Sequence, residues 1–226
     1  MHAPTSTQGG LSLVELLVGI TVGLFIVASG STLLAGHLRE SRALQHEARL
    51  MQDLRNATEV ITRDLRRAGH WGAAASGVWS NAASGVLPNP YAALAASPAA
   101  SDAVGFRYSR DSTENQLVDS NEQFGFRLRN GAVEMQLGLT NWQALTDAGT
   151  LTVTAFNVTP QVQPVDLQGH CLQACAPGAT SCPPRLDVRS LALHIAARSV
   201  ADAQVTRRLD SRVRLRNDPV HGACPV

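Results

Sequence analysis

Glu15 is the only ionisable residue between Leu11 and Ala35, inside an apolar run that extends over residues 10–36. A charged side chain at the middle of a membrane helix costs ~2.5–3.5 kcal/mol on insertion scales, and less near the edge. A carboxylate there demands a partner, so Glu15 is the first candidate for function. Cys171, Cys175, Cys182 and Cys224 form the second candidate set. His170-Cys171-x3-Cys175-x6-Cys182 has residue types that bind zinc, but structural zinc sites show paired short Cys spacings and this run lacks a second pair. An even, clustered set of cysteines is read instead as disulfides in an oxidising compartment. Asp111, Glu114, Asp119 and Glu122, with Asn115 and Asn121, form an acidic stretch. Its spacing fits no calcium loop and it has no Gly at the turn, which makes it a solvated loop in this reading. There is no phosphate-binding Gly loop, no His-Glu-x-x-His and no elbow around a nucleophilic Ser. No residue is assigned as a catalyst, and no metal or cofactor is expected.

These residues need elements to carry them. The run from Leu11 is long enough to cross a bilayer as a helix, which takes ~20 apolar residues. Residues 1–10 are short and polar, without the basic n-region of a secretory signal. The small residues Gly9-Gly10 stand before the apolar run, whereas a secretory signal places them after it. Gly10 followed by Leu11-Ser-Leu-Val-Glu15 resembles the type III signal of type IV prepilins. The resemblance implies that a membrane prepilin peptidase cuts after Gly10, that Leu11 becomes the methylated N-terminus, and that Glu15 serves filament assembly. Once Leu11 carries a free ammonium, a neighbouring subunit's amine is the natural partner for Glu15. Gly19 and Gly23 add a small-xxx-small spacing that permits close helix packing.

The amphipathic pattern continues past the membrane run. Residues 37–68 contain no Gly or Pro. Leu50, Leu54, Ala57, Ile61, Leu65 and Ala68 recur at steps of three and four, one face of a helix. Arg49, Asp53, Arg55, Glu59, Arg63 and Arg66 lie opposite, with Glu59 and Arg63 set for an i,i+4 pair. Gly69 reads as the C-terminal cap. A helix from about Ser12 to Ala68 would be roughly 85 Å long at ~1.5 Å per residue. Ile61-Thr-Arg-Asp64 and Leu65-Arg-Arg-Ala-Gly-His-Trp-Gly72, with Val213-Arg-Leu-Arg-Asn217 near the end, resemble the signature of PilW-type minor pilins.

Residues 70–103, rich in Ala, Ser, Gly and Pro, form an irregular connector with Trp71, Trp79 and Tyr91 as anchors. From residue 104 the period changes to two. Gln123–Arg129, the turn Asn130-Gly131 and Ala132–Leu137 make a type I′ hairpin. Its register sets Phe124 opposite Leu137, Phe126 opposite Met135, Leu128 opposite Val133, and Arg127 opposite Glu134. Residues 151–155 are a further strand. Leu191, Leu193, Ile195 and Ala197 alternate, as do Leu209, Val213 and Leu215. The fold class is α+β and pilin-like: a long N-terminal helix packed on an antiparallel β-sheet. Its segments are a leader (1–10), a membrane and filament-core helix (11–36), an amphipathic helix (37–69), the connector (70–103) and a β-domain (104–226).

Pairing Leu191 with Val213 and Ile195 with Leu209 extrapolates to a Cys182–Cys224 clasp, leaving Cys171–Cys175 as a local loop. All 19 basic residues are Arg, and the net charge of +1 shows no nucleic-acid footprint. Arg39 and Arg42 would sit in the cytoplasm by the positive-inside rule. The clustered cysteines and the short leader oppose this and place the β-domain in the periplasm, anchored in a bacterial inner membrane. The function implied by the resemblance is that of a minor pilin helping to initiate type IV pili and entering the pilus. Its partners would be the prepilin peptidase, other minor and major pilins through the N-terminal helix, and the inner-membrane assembly platform, with no nucleic acid. A pseudopilin of type II secretion is the second reading. A membrane-anchored periplasmic enzyme or binding protein is the third.

Overall fold

The structure is a computed structural model describing residues 12–77, 87–96 and 101–225. The chain divides into two units, Met1–Gln45 and His46–Val226. One helix, α1 (Leu13–Leu65), supplies residues to both. In the first unit every described side chain is exposed, as an apolar-all-round segment with nothing packed on it must be.

In the second unit the stripe expected of the helix is the stripe that is buried. Leu50, Leu54, Ala57, Ile61, Leu65 and Ala68 are all inside. The helix stops where Gly69 takes φ +75°, the left-handed value that favours glycine at this position. The Glu59–Arg63 pair does not form: the Arg63 guanidinium turns to Asp64 at 3.5 Å.

Eight strands follow: β1 (Ala103–Arg107), β2 (Gln123–Arg129), β3 (Ala132–Leu137), β4 (Trp142–Ala144), β5 (Leu151–Asp166), β6 (Arg185–Ser199), β7 (Thr206–Arg214) and β8 (Val220–His221). They form two antiparallel four-stranded sheets where the sequence suggested one. The first is ordered β1-β2-β3-β4; in the second β5-β6-β7 run side by side and β8 also pairs with β6. The buried face of α1 shares a core with both sheets, through Phe106, Phe124 and Phe126 of the first and Phe156, Leu193 and Ile195 of the second.

The β2–β3 hairpin has the expected register, including Phe126 opposite Met135 and Arg127 opposite Glu134. Asn130 and Gly131 both have positive φ, as a type I′ turn requires. Arg127 and Glu134 are bonded at 2.7 Å, and the Arg127 guanidinium also lies 3.9 Å over the Trp142 ring. β5 runs eleven residues beyond Ala155, to Asp166, through Pro160 and Pro164. Prolines argue against a central strand, but an edge strand tolerates them where the missing N–H would point outward. Trp71 and Tyr91 are buried anchors, while Trp79 falls outside the described residues.

The cysteine pairing differs from the expectation. Cys171 bonds Cys224 and Cys175 bonds Cys182, with Cα separations of 5.3 and 5.6 Å. The β6–β7 register used to reach the other answer is correct, with Leu191 opposite Val213. It does not extend to the cysteines. After Leu215 the chain leaves the ladder, and β8 re-enters it shifted by two positions, with Leu186 opposite Val220. Beyond Arg185, Pro183 and Pro184 have no amides to continue a ladder. The β5–β6 connection folds back on itself instead, bringing Cys175 to Cys182 and leaving Cys171 for the chain end.

Candidate functional site

Glu15 lies in the first turn of α1, exposed among exposed apolar neighbours. The other polar side chains of the segment satisfy themselves. Thr21, Ser29, Ser31 and Thr32 hydroxyls donate to the carbonyls of Val18, Phe25, Val27 and Ser29 at 2.8–2.9 Å. Such back-bonding keeps a hydroxyl paired without water. A carboxylate has no hydrogen to donate, and no ion pair to Glu15 forms among the described residues. At 100° per residue Gly19, Gly23 and Gly30 lie within a quarter turn of Glu15. A methyl added at any of the three would meet nothing within 4 Å. The segment therefore presents an acid at the head of a shallow, backbone-deep stripe. Gly10 and Leu11 fall outside the described residues.

The helix end is tied to the sheets by contacts the sequence does not reveal, through Asn217 of the family-like signature and through Asn89, which the sequence did not single out. Asn217 Nδ2 donates to the Ala68 carbonyl at 3.0 Å, and Asn89 Nδ2 to the Gly69 carbonyl at 2.8 Å. The Gly69 amide donates to the Arg107 carbonyl at 2.8 Å. The two asparagine bonds satisfy carbonyls of the kind every helix C-terminus leaves open, and the Gly69 amide ties the same point to β1. Arg189 reaches the same place, donating to the carbonyls of Ala92 at 2.6 Å and Asn217 at 2.7 Å. Burial draws its pKa down, opposed by the charges of Asp218 and Asp187. A side chain at residue 69 would press on Asn217 and Arg189, so Gly69 is needed for space as well as for its φ. The Ala-Gly pair and the distant Asn217 of the family-like signature thus meet in one structural knot. The signal available in sequence was their joint presence, not their contact.

The acidic stretch is solvated only in part: Asn115, Asp119 and Asn121 are exposed, but Glu114 is half-buried and Glu122 lies inside. Glu122 is fully buried and accepts the amides of Arg110 at 2.7 Å and Asp119 at 2.9 Å. Glu114 accepts the amides of Gly72 and Gln116, both at 2.9 Å, and the Tyr91 hydroxyl at 3.2 Å. The Tyr91 hydroxyl also donates to the Leu117 carbonyl at 2.8 Å, and burial raises its pKa. Burial would raise Glu114 too, but the bonds from the Gln116 amide, Ser109 hydroxyl, Gly72 amide and Tyr91 hydroxyl outweigh it and hold the carboxyl below the usual range. These carboxylates replace a ladder of backbone partners, a structural use of charge. Among the described residues no cluster of three or more His, Cys, Asp or Glu is arranged to hold a metal.

One further pair has catalytic residue types. His194 Nδ1 and Asp210 Oδ1 are 2.6 Å apart on the outer face of β6 and β7. That is the orienting half of a nucleophilic triad. No Ser, Thr or Cys side chain is bonded to the other ring nitrogen among the described residues. The arrangement serves as a cross-strand link at opposed positions.

Comparison with curated proteins and with solved structures returns no match. A family model described as prepilin peptidase-dependent protein B matches residues 43–215, which take in the buried half of α1, the helix-end knot apart from Asn217, and strands β1–β7. That stretch is most of the chain, and the helix long and apolar enough to cross a membrane runs into it. The protein is a pilin-like chain, pilus- or secretion-related, and it belongs to the prepilin peptidase-dependent protein B family.

Proposed function

We propose that the chain is a PilW-like minor pilin, a non-enzymatic subunit that helps to start type IV pilus assembly. The observation that carries the reading is Glu15, the single charge of residues 13–35, whose hydroxyls are otherwise self-satisfied, in a family named for its dependence on the peptidase. Cleavage after Gly10 frees the Leu11 amine, which is then methylated. Glu15 pairs with the terminal amine of a neighbouring subunit, and its glycine stripe lets the two helices approach. In apolar surroundings, removing one member of such a pair strands the other at ~3–5 kcal/mol. The domain stands in the periplasm before incorporation, where the disulfides form. The other minor and major pilins and the inner-membrane assembly platform are its partners in this reading.

Mass spectrometry of the chain co-expressed with a prepilin peptidase tests the first step. The expected product lacks ten residues and starts at a methylated Leu11, and Gly10→Val blocks it. Glu15→Ala is expected to be inserted and cut normally but to enter filaments at least tenfold less. Wild-type incorporation of that variant refutes the assembly role. Deletion of the gene should abolish surface pili; loss of protein secretion with pili intact assigns the chain to a type II pseudopilus instead.

A further inference from the structure

The second sheet treats its two edges differently. Along β5 the N–H and C=O of Val158 point away from β6, because both bond Ser101, at 2.8 and 3.1 Å. With period two and no register shift after Ala155, residues 160, 162, 164 and 166 also face outward. Two of those positions are Pro160 and Pro164, which have no N–H. Prolines at outward positions are a standard means of blunting an edge.

The opposite edge is β7, nine residues long and free of proline. Ser199 donates to the Val205 carbonyl and Leu215 to the Arg189 carbonyl, so the odd-numbered residues of this ladder bond inward to β6. The amides and carbonyls of Arg208, Asp210, Arg212 and Arg214 therefore point outward. None has a backbone partner among the described residues. The side chains of those residues share the outer face of the sheet. Asp210 is held by His194 and Arg214 by Asp218, while Arg208 and Arg212 are exposed without an acidic partner among the described residues.

We propose that β7 is a docking edge for an extended acidic segment of another polypeptide, added as a further antiparallel strand. The open amides bond the incoming carbonyls, and directly opposed side chains lie ~4.5–5.5 Å apart at Cβ. The charge row then sets a code. Acids belong opposite Arg208, Arg212 and Arg214, and a base belongs opposite Asp210. The intervening positions fall on the face of Leu209 and Val213 and suit Val. Arginines on an edge repel strands of like charge and admit those of opposite charge, so they filter the partner. A second copy pairing about Asp210 would set Arg208 against Arg212 and Asp210 against itself, which disfavours self-association. The inference does not rest on the filament reading.

The probe is the labelled peptide Thr-Glu-Val-Glu-Val-Lys-Val-Glu-Thr, titrated by fluorescence anisotropy into the full-length chain in detergent micelles. Saturable binding is expected, weakened at least tenfold when every Glu and Lys is exchanged for the opposite charge. N-methylation of alternate peptide amides, which keeps all charges, should also cost at least tenfold. On the protein side, Asp210→Pro removes an outward amide and a negative charge together. Electrostatics alone makes it bind the acidic peptide at least as tightly as Asp210→Ala; strand addition makes it bind at least fivefold more weakly. Retention of both disulfides shows that the variants fold. If Asp210→Pro fails that check, the N-methylated peptide decides. No saturable binding, equal binding of the N-methylated peptide, equal affinity of the two variants, or displacement of the peptide by duplex DNA at equal charge would each overturn the proposal.

Discussion

The two parts of α1 carry apolar side chains of the same kinds to opposite fates. Leu24, Phe25 and Ile26 are largely exposed, while Leu50, Leu54 and Ile61 are buried in a core made by the chain's own strands. The difference lies in distribution. Residues 13–35 are apolar all round, so no single neighbour can cover them. Residues 50–68 confine their apolar groups to one stripe, which a sheet can cover. The first pattern needs an apolar surrounding from outside the chain; the second provides its own.

That contrast is tested by one substitution made twice. Leu54→Ala should destabilise the folded domain by about 2–5 kcal/mol, the range for a leucine removed from a packed core. Leu24→Ala, with the same atoms deleted, should leave denaturant unfolding of the domain unchanged. Equal losses at both sites, read by tryptophan fluorescence in detergent, would show that the two parts are not different in kind.

Much of this was legible from local rules. The buried stripe, the Gly69 stop, the β2–β3 register and the β6–β7 register all follow from periodicities of 3.6 and two, with turn residues at their ends. The errors arose where a local rule was carried across a break. The β6–β7 register was right at Leu191 and wrong by the time it reached Cys224, because the chain leaves the ladder between Leu215 and Val220. The length of β5 was hidden by Pro160 and Pro164, which are compatible with a strand only if it lies at an edge. The acidic stretch looked solvated because sequence lists charges without their acceptor geometry, and Glu122 is kept inside by two backbone amides. Asn217 stood out only as the end of a family-like signature and Asn89 not at all, since each acts by a contact remote in sequence.

The next effect concerns the end of the domain furthest along β6 from the hairpin loop. The Cys171–Cys224 link closes a separation of 53 residues, for which the chain-entropy model gives about 4 kcal/mol, and the Cys175–Cys182 link closes only 7. Non-reducing peptide mapping should recover those two pairs. The double replacement Cys171→Ser with Cys224→Ser should cost more stability than Cys175→Ser with Cys182→Ser. The reverse order would mean that the local loop, not the chain end, secures this region.

Asn217→Ala is expected to cost about 1 kcal/mol, the scale of one net hydrogen bond left unmade at a helix terminus. It sharpens the contrast within α1, because only the buried part of the helix ends in a carbonyl held by a remote side chain. Hydrogen exchange should quicken in the last turn before Gly69 and remain as it was in the strands. Uniform quickening would mean that Asn217 supports the domain as a whole.

The smallest effect is one of sign. Asp111 and Glu114 lie three residues apart and are shifted in opposite directions. Asp111 is raised, first by desolvation and then by the charge of Glu122, and its Oδ2 is enclosed without a partner among the described residues. Glu114 is lowered by the hydrogen bonds that overcome its burial. An acid with a raised folded-state pKa is penalised when charged, so its cost is present at neutral pH and fades as pH falls through the folded value. An acid with a lowered pKa contributes stability above the usual carboxylate range and loses it as pH falls through its folded value. Asp111→Asn should therefore raise the urea midpoint at pH 7, with a smaller gain near pH ~3.5, below the ordinary Asp value. Glu114→Gln should lower the midpoint at pH 7 and do less near pH ~3.5. A loss on Asp111→Asn at pH 7, or a gain independent of pH, would mean that its enclosed oxygen finds a partner in solution and that both carboxylates act alike.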